Sequence, residues 1–143
     1  MVFCVAAHFT AFNADLFRAT NNIATVEMHS RKSQEYRARA AKEFIQWKQV
    51  VMFTSDVSAR GVDYPDVTLV LQVGTTEKEP YIHRLGRTAR GSSGVQGRGM
   101  LITSPQEKWF VMNQIKELPV KEVPWVEYAH DHSVPTTIHA YLE

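Results

Sequence analysis

The chain has little cysteine and no long apolar run. Its 143 residues include one cysteine, Cys4, so no internal disulfide can form, and we expect a reducing, intracellular compartment. No apolar stretch approaches the roughly 20 residues that cross a bilayer. The short apolar start also lacks the basic leading segment of a signal peptide. These absences predict a soluble protein that binds no membrane.

The chain also lacks a phosphate-binding loop of its own. It contains no glycine-rich loop ending in Lys-Ser or Lys-Thr, with which a single domain can cradle a triphosphate. No metal site is predicted either. The net charge is only +1, yet four arginines fall in a stretch that contains no acidic residue: Arg84, Arg87, Arg90 and Arg98. Local basic clusters of this kind can bind phosphate groups, although a solvated helix face is the alternative reading.

Apolar runs alternate with helical patterns along the chain. Continuous apolar runs are typical of strands that are covered on both faces in a parallel sheet. They predict strands at residues 2–5, 24–28, 50–54, 68–73 and 100–103. Between them, helices are predicted after Val5, after Ser33 as a cap, and after two capping boxes that begin at Thr76 and Ser104. This order predicts an α/β fold, an open, mostly parallel sheet with helices on both faces.

Ligands of such sheets bind at the carboxyl ends of the strands. From Leu118 onward the prolines Pro119, Pro124 and Pro135 interrupt the helical pattern. We therefore expect one domain over residues 1–118 and a tail or packing arm over residues 119–143.

The segment from Tyr81 to Gly91 is the most informative part of the chain. Arg84, Arg87 and Arg90 recur at a spacing of three, which places them on one side of a helix or helix-like turn. The planar guanidinium group can bind phosphate oxygens through two hydrogen bonds. Because the chain has no phosphate loop, these arginines are predicted to act on a nucleotide that another domain holds. Surface salt bridges are the alternative.

A second segment, from Thr54 to Asp63, directly follows a predicted strand. It reads Thr-Ser-Asp-Val-Ser-Ala-Arg-Gly-Val-Asp and resembles motif V of DEAD-box ATP-dependent RNA helicases, Thr-Asp-x-x-x-Arg-Gly-x-Asp. The arginine segment resembles motif VI of the same family, His-Arg-x-Gly-Arg-x-Gly-Arg, with Ala89 in place of a glycine. By this resemblance the chain is identified as the second, C-terminal RecA-like domain of such a helicase.

The resemblance implies a role for each matching residue. Arg87 and Arg90 would be catalytic arginine fingers on the γ-phosphate of ATP, and Gly61 and Asp63 would face the nucleotide. Ser55 and Asp56 would contact RNA. The interdomain residues would be His83, Arg84 and Arg60, with His83 and Arg84 also tying motif VI to neighbouring motifs.

Two further segments resemble RNA-binding motifs of the family. Gln34 and Arg37 match its Gln-x-x-Arg pattern at the start of a predicted helix, where free N–H groups suit a phosphate. The opening strand resembles motif IV, but Ala6 stands where a threonine is usual, so one hydroxyl contact to RNA is missing. Ser30 likewise replaces a usual glycine after His29. The segment from His8 to Phe12 is similar to that of mitochondrial members of the family.

The family's ATP site also needs a first domain that the chain does not contain. The resemblance therefore implies that ATP with Mg²⁺ is held mainly by an N-terminal RecA-like domain, and that this chain alone is inactive. Single-stranded or short duplex RNA would be the other partner. A non-enzymatic RNA-binding or scaffold module in a ribonucleoprotein is the alternative function, and a DNA translocase is a third. A mitochondrial or a nuclear location would fit equally.

The segment that normally precedes motif IV in this family, an edge strand and a helix, is also absent from the chain. The chain is therefore predicted to be part of a longer protein. Loss of an edge strand would expose the hydrogen-bonding groups of its neighbour, so the isolated chain is expected to be marginally stable or to self-associate.

Overall fold

Five parallel strands form the centre of the protein. The computed structural model describes residues 1–56, 62–88 and 96–123. Its strands are β1 (Val2–Cys4), β2 (Ala24–Met28), β3 (Val50–Thr54), β4 (Leu69–Val73) and β5 (Arg98–Ile102), and its helices are α1 (Ala7–Thr20), α2 (Gln34–Gln46), α3 (Lys78–Leu85) and α4 (Pro105–Ile115). The strand order is β2-β3-β1-β4-β5, and each adjacent pair is parallel. The predicted α/β, RecA-like fold is confirmed.

The predicted strand bounds agree for β2 and β3, and they differ most for β5. That strand begins at Arg98, two residues before the predicted start, because its pairing with β4 sets Arg98 opposite Leu69 and Gly99 opposite Val70. Gly99 has a packing reason to lack a side chain, since a Cβ there would lie 2.1 Å from Leu85 Cδ1. Because Gly99 has no Cβ, α3 can pack directly against the sheet at this position.

Helices cover both faces of the sheet, but not equally. On one face Phe3, Met52 and Val70 pack against α2, and residues of α3 and α4 pack with Leu101 of β5. On the other face Cys4 and Phe53 pack against Ala14 of α1. On this α1 face no described helix covers the β4–β5 half, where the side chains are only half-buried: Leu71, Val73, Met100 and Ile102. None of the described helices has the length and apolarity needed to cross a bilayer.

Two of the three predicted helix caps are confirmed. The Ser33 side chain accepts a hydrogen bond from Tyr36 N at 3.2 Å, and Ser104 forms a complete capping box with Glu107. The box predicted at Thr76 is wrong. Helix α3 begins at Lys78, and the Thr76 hydroxyl donates to the Glu77 carbonyl at 3.1 Å. Thr76 is buried, so its side chain forms contacts in the protein interior and does not cap the helix.

Candidate nucleotide and RNA site at the carboxyl edge of the sheet

The parallel sheet brings the candidate segments to one edge. Because all five strands run in the same direction, the loops that follow them lie at the same end of the sheet. Ala6 follows β1, His29 follows β2, and Ser55 with Asp56 follows β3. Helix α3, which carries His83 and Arg84, begins four residues beyond the turn that ends β4.

A partly buried ion pair joins the two main motifs. Arg84 donates from Nε to Asp56 Oδ1 at 2.6 Å and from Nη2 to Asp56 Oδ2 at 2.8 Å. The Arg84 side chain is 7% exposed and the Asp56 side chain 63% exposed. The guanidinium group also lies over the Phe3 ring, 5.7 Å from its centroid. Such two-pronged, charge-assisted contacts are stronger than neutral ones, so the end of β3 is held to α3.

Two polar residues that the sequence did not predict for this contact, Gln72 and Thr76, complete it. Arg84 Nη1 lies 3.4 Å from both Gln72 Oε1 and Thr76 Oγ1, and Gln72 Nε2 donates to the Tyr81 carbonyl at 3.2 Å. Gln72 is almost fully buried. Its position inside the apolar run of β4 could have indicated this role from the sequence, because a buried polar side chain needs a hydrogen-bond partner. Arg84 therefore ties motif VI to motif V within this domain, and its expected contact with a first domain stays a prediction.

Arg87 lies beside the segment that contains Asp63. Helix α3 ends at Leu85, and the Arg87 N–H donates to the Arg84 carbonyl at 3.1 Å in the following turn. Arg87 Nη1 donates to the Val62 carbonyl at 3.2 Å. Among the described residues no carboxylate pairs with Arg87, and its buried Nε has no hydrogen-bond partner there. The guanidinium group thus retains the capacity to bind an anion.

Tyr64 fixes the segment that Arg87 contacts. Its ring is 1% exposed, packs edge-on against Phe44 at a centroid distance of 5.6 Å, and carries a hydroxyl 3.8 Å from Met28 Sδ. Burial raises the pKa of Tyr64 above its ordinary value. Because Tyr64 is anchored in the core, the exposed residue before it, Asp63, is held near the turn of Arg87.

The candidate RNA contacts lie at the β2–β3 side of the same edge. The Ser55 N–H donates to the Met28 carbonyl at 3.1 Å, which ties its position to the end of β2. Gln34 is the first residue of α2, and Arg37 lies one turn further on. Gln34 is exposed, whereas Arg37 is half-buried with an Nε that has no partner among the described residues.

A buried carboxylate at the end of β2 was not predicted from the sequence. Glu27 is 3% exposed and forms ion pairs with Lys32 and with Arg18, the latter at 3.4 Å. His29 Nε2 lies 3.8 Å from Glu27 Oε1. Burial lowers the pKa of His29, and the hydrogen bond to Glu27 raises the pKa of Lys32. The sequence could have indicated this buried carboxylate, because Glu27 is an acidic residue within an apolar strand pattern.

The structure brings together some of the predicted site residues. Asp56 contacts Arg84, and Arg87 contacts the residue before Asp63. Gln34 and Arg37 lie apart from these, on the β2 side, and His83 is exposed on α3. Three predicted residues lie outside the described residues: Arg60, Gly61 and Arg90. The described residues contain no group of acidic, histidine or cysteine side chains arranged to hold a metal ion.

Comparison with known proteins identifies the family. A family model, the helicase conserved C-terminal domain, matches residues 1–92. DEAD-box ATP-dependent RNA helicase 31 of Arabidopsis thaliana is 50% identical over 125 residues, which are 87% of this chain and 17% of that protein. Its namesake in Oryza sativa subsp. japonica is 49% identical over 123 residues, which are 85% of this chain and 22% of that protein. The chain thus spans about a fifth of the length of these relatives.

Solved structures agree with the sequence relatives. Mss116p domain 2 bound to an RNA duplex superposes with a TM-score of 0.70 at 31% identity, covering 88% of this chain and 53% of that one. Mss116p bound to single-stranded RNA and AMP-PNP gives a TM-score of 0.73 at 29% identity, covering 88% of this chain and 26% of that one. The chain belongs to the helicase conserved C-terminal domain family, as a C-terminal RecA-like domain of the DEAD-box ATP-dependent RNA helicases.

Proposed function

We propose that this chain is the C-terminal half of the core of an ATP-dependent RNA helicase, in which Arg87 and Arg90 act as arginine fingers on ATP. The observation that carries the proposal is the position of Arg87. Its guanidinium group lies at the carboxyl edge, within 3.2 Å of the Val62 carbonyl, and forms no ion pair among the described residues. A cation at that edge can stabilise charge on a transferring phosphoryl group.

The nucleotide would be held mainly by an N-terminal RecA-like domain of the longer protein. ATP with Mg²⁺ would supply the phosphoryl group and its neutralising metal. This chain would contribute Arg87, Arg90, Gly61 and Asp63 to the nucleotide. The unpartnered, buried Nε of Arg87 fits such a ligand, because a buried N–H group without a partner is costly. His83, Arg60 and Arg84 would serve contact with the first domain, and without that domain the chain would not hydrolyse ATP.

RNA would bind through its phosphate groups at the β2–β3 side of the edge. Gln34, Arg37, Ser55 and Asp56 are the proposed contacts. The amino end of α2, which carries partial positive charge, supports this side. The likeness to Mss116p, solved with single-stranded RNA, supports RNA binding in general. The Asp56 carboxylate is bound by Arg84. Its proposed role is therefore to position the neighbouring backbone for contact with RNA, rather than to accept a hydrogen bond from RNA itself. Phosphate contacts carry little sequence information, so low sequence preference is expected.

The test places this chain in a complete helicase. In DEAD-box helicase 31 of Arabidopsis thaliana, the segment that matches this chain at 50% identity would be replaced by it. Arg87→Gln in that chimera should lower RNA-stimulated ATP turnover by about a thousandfold or more, the range for a lost arginine finger. RNA affinity should change little. The matched control is Arg39→Gln, an exposed arginine on α2, which should leave turnover unchanged. Full turnover in Arg87→Gln would refute the assignment of the finger.

A non-enzymatic RNA-binding module is the second candidate. One observation favours it: domain 2 of Mss116p was solved with an RNA duplex. The chimera separates the two candidates: RNA-stimulated ATP turnover would support the enzyme, whereas RNA binding without any ATP turnover would support the non-enzymatic module.

Self-association of the isolated chain is also proposed, because β5 pairs only with β4 in the described sheet and no described helix covers the adjacent apolar face. Sedimentation would detect it, and a stable monomer would count against it.

A further inference from the structure

Two adjacent cations in the loop between β2 and α2 have opposite surroundings. Lys32 pairs with the buried Glu27 carboxylate, and its ammonium group also lies 4.7 Å from the centre of the Tyr36 ring. Its charge is therefore compensated within the protein. Arg31, one residue earlier, is exposed and forms no ion pair with any carboxylate among the described residues. Simple counting of positive charges in the sequence would treat the two residues alike.

Arg31 is held across the end of β3. Its Nη1 lies 3.4 Å from Nδ1 of His8, which is in the first turn of α1. Since β3 lies between β2 and β1 in the sheet, a side chain from the end of β2 that reaches the residues after β1 must pass the end of β3. Ser55 follows β3 at that place. The guanidinium group thus crosses the carboxyl edge at the end of the strand that Ser55 follows, and Ser55 is proposed to contact RNA.

The amino end of α1, where His8 lies, favours an anion in the same place. The Arg31 N–H donates to His29 Nδ1 at 3.3 Å, which fixes the loop against a residue that is 3% exposed. Helix α1 begins at Ala7 with Ala6 as a cap that provides no side-chain acceptor and with no acid in its first turn. The first N–H groups of such a helix are left for an external acceptor.

We propose that Arg31, positioned against His8 across the end of β3, is a further contact for a phosphate group of single-stranded RNA, and that the adjacent Lys32 is not. The proposal rests on the RNA-binding side of the function proposed above. It adds a contact that matches none of the recognised motifs. It also offsets, with a cation, the hydroxyl contact that is missing at Ala6.

The experiment measures the salt dependence of RNA binding by the 143-residue chain. Fluorescence anisotropy of labelled single-stranded oligouridylate would be followed over a series of KCl concentrations for wild type, Arg31→Gln and Lys32→Gln. Arg31→Gln should weaken binding about three- to tenfold at low salt. It should also reduce the slope of log affinity against log salt by about 0.7, the contribution of one phosphate contact to a single strand. Lys32→Gln should leave the slope unchanged.

Two controls separate a specific contact from net charge and misfolding. Lys48→Gln removes an equal charge at the amino edge of the sheet, just before β3, and should not change the slope. Arg31→Lys keeps the positive charge, so its slope of log affinity against log salt should be close to that of the wild type. Far-UV circular dichroism confirms that each variant is folded. Equal slopes for Arg31→Gln and Lys48→Gln would overturn the proposal. A reduction of the slope in Lys32→Gln as large as that in Arg31→Gln would also overturn it. Absence of binding by the wild type would refute RNA binding by this chain, and the proposed contact with it.

Discussion

The ion pair between Asp56 and Arg84 makes a quantitative prediction about stability. We consider a double-mutant cycle with Asp56→Ala, which removes the carboxylate, and Arg84→Met, which removes the guanidinium group but keeps an unbranched stem to pack on Phe3. Each single change disrupts a pair whose two hydrogen bonds measure 2.6 and 2.8 Å. The cycle isolates the coupling between the two side chains from their other contacts.

The burial of the two groups sets the magnitude. Removing one partner of a fully buried pair costs about 3–5 kcal/mol, whereas exposed pairs contribute about 0–1 kcal/mol. Here the arginine side chain is 7% exposed and the aspartate side chain 63% exposed, so a coupling energy between these limits, about 2 kcal/mol, is expected. Arg84→Met should cost more than Asp56→Ala, because it also takes the charged donor away from Gln72 and Thr76.

Equilibrium unfolding in urea, followed by far-UV circular dichroism, would measure the four free energies. The matched control is the pair of Lys108 and Glu122, which lie 2.5 Å apart with side chains 51% and 63% exposed. Its coupling energy should be close to zero, because solvent screens both groups. A coupling energy for Asp56 and Arg84 no larger than that of the control would refute the argument that burial makes this contact strong.

Two further predictions follow from groups buried in the core. Burial raises the pKa of the Cys4 thiol to about 11, so Ellman's reagent at pH 8 should label it only as fast as the chain opens; rapid labelling would contradict its placement beneath α1. Burial also keeps His29 neutral in the folded state by lowering its pKa, so the unfolded chain binds the proton first as pH falls below about 6.5. The free energy of unfolding should therefore decrease from pH 7 to pH 5, and His29→Asn should flatten that slope. An unchanged slope would exclude His29 as its source.

Local patterns were sufficient for most of the framework. The apolar runs predicted all five strands, with β2 and β3 at their observed bounds, because a strand covered on both faces needs apolar side chains on each. The caps at Ser33 and Ser104 were also predictable, since a capping hydrogen bond depends only on residues three apart. The order of motifs V and VI then identified the family.

The sequence by itself therefore determined the strand and helix order, the parallel sheet and the family, all of which depend on local periodicity and on motifs of neighbouring residues. Only the tertiary structure decided how the polar side chains are paired. Thr76 matched a capping box, yet it is buried beside Arg84, and Gln72 became a partner of the same group. Likewise Lys32 and Arg31 are adjacent in the chain, but only Lys32 reaches the carboxylate of Glu27. Such pairings depend on side-chain direction and burial, which residues distant in sequence create when strands and helices pack.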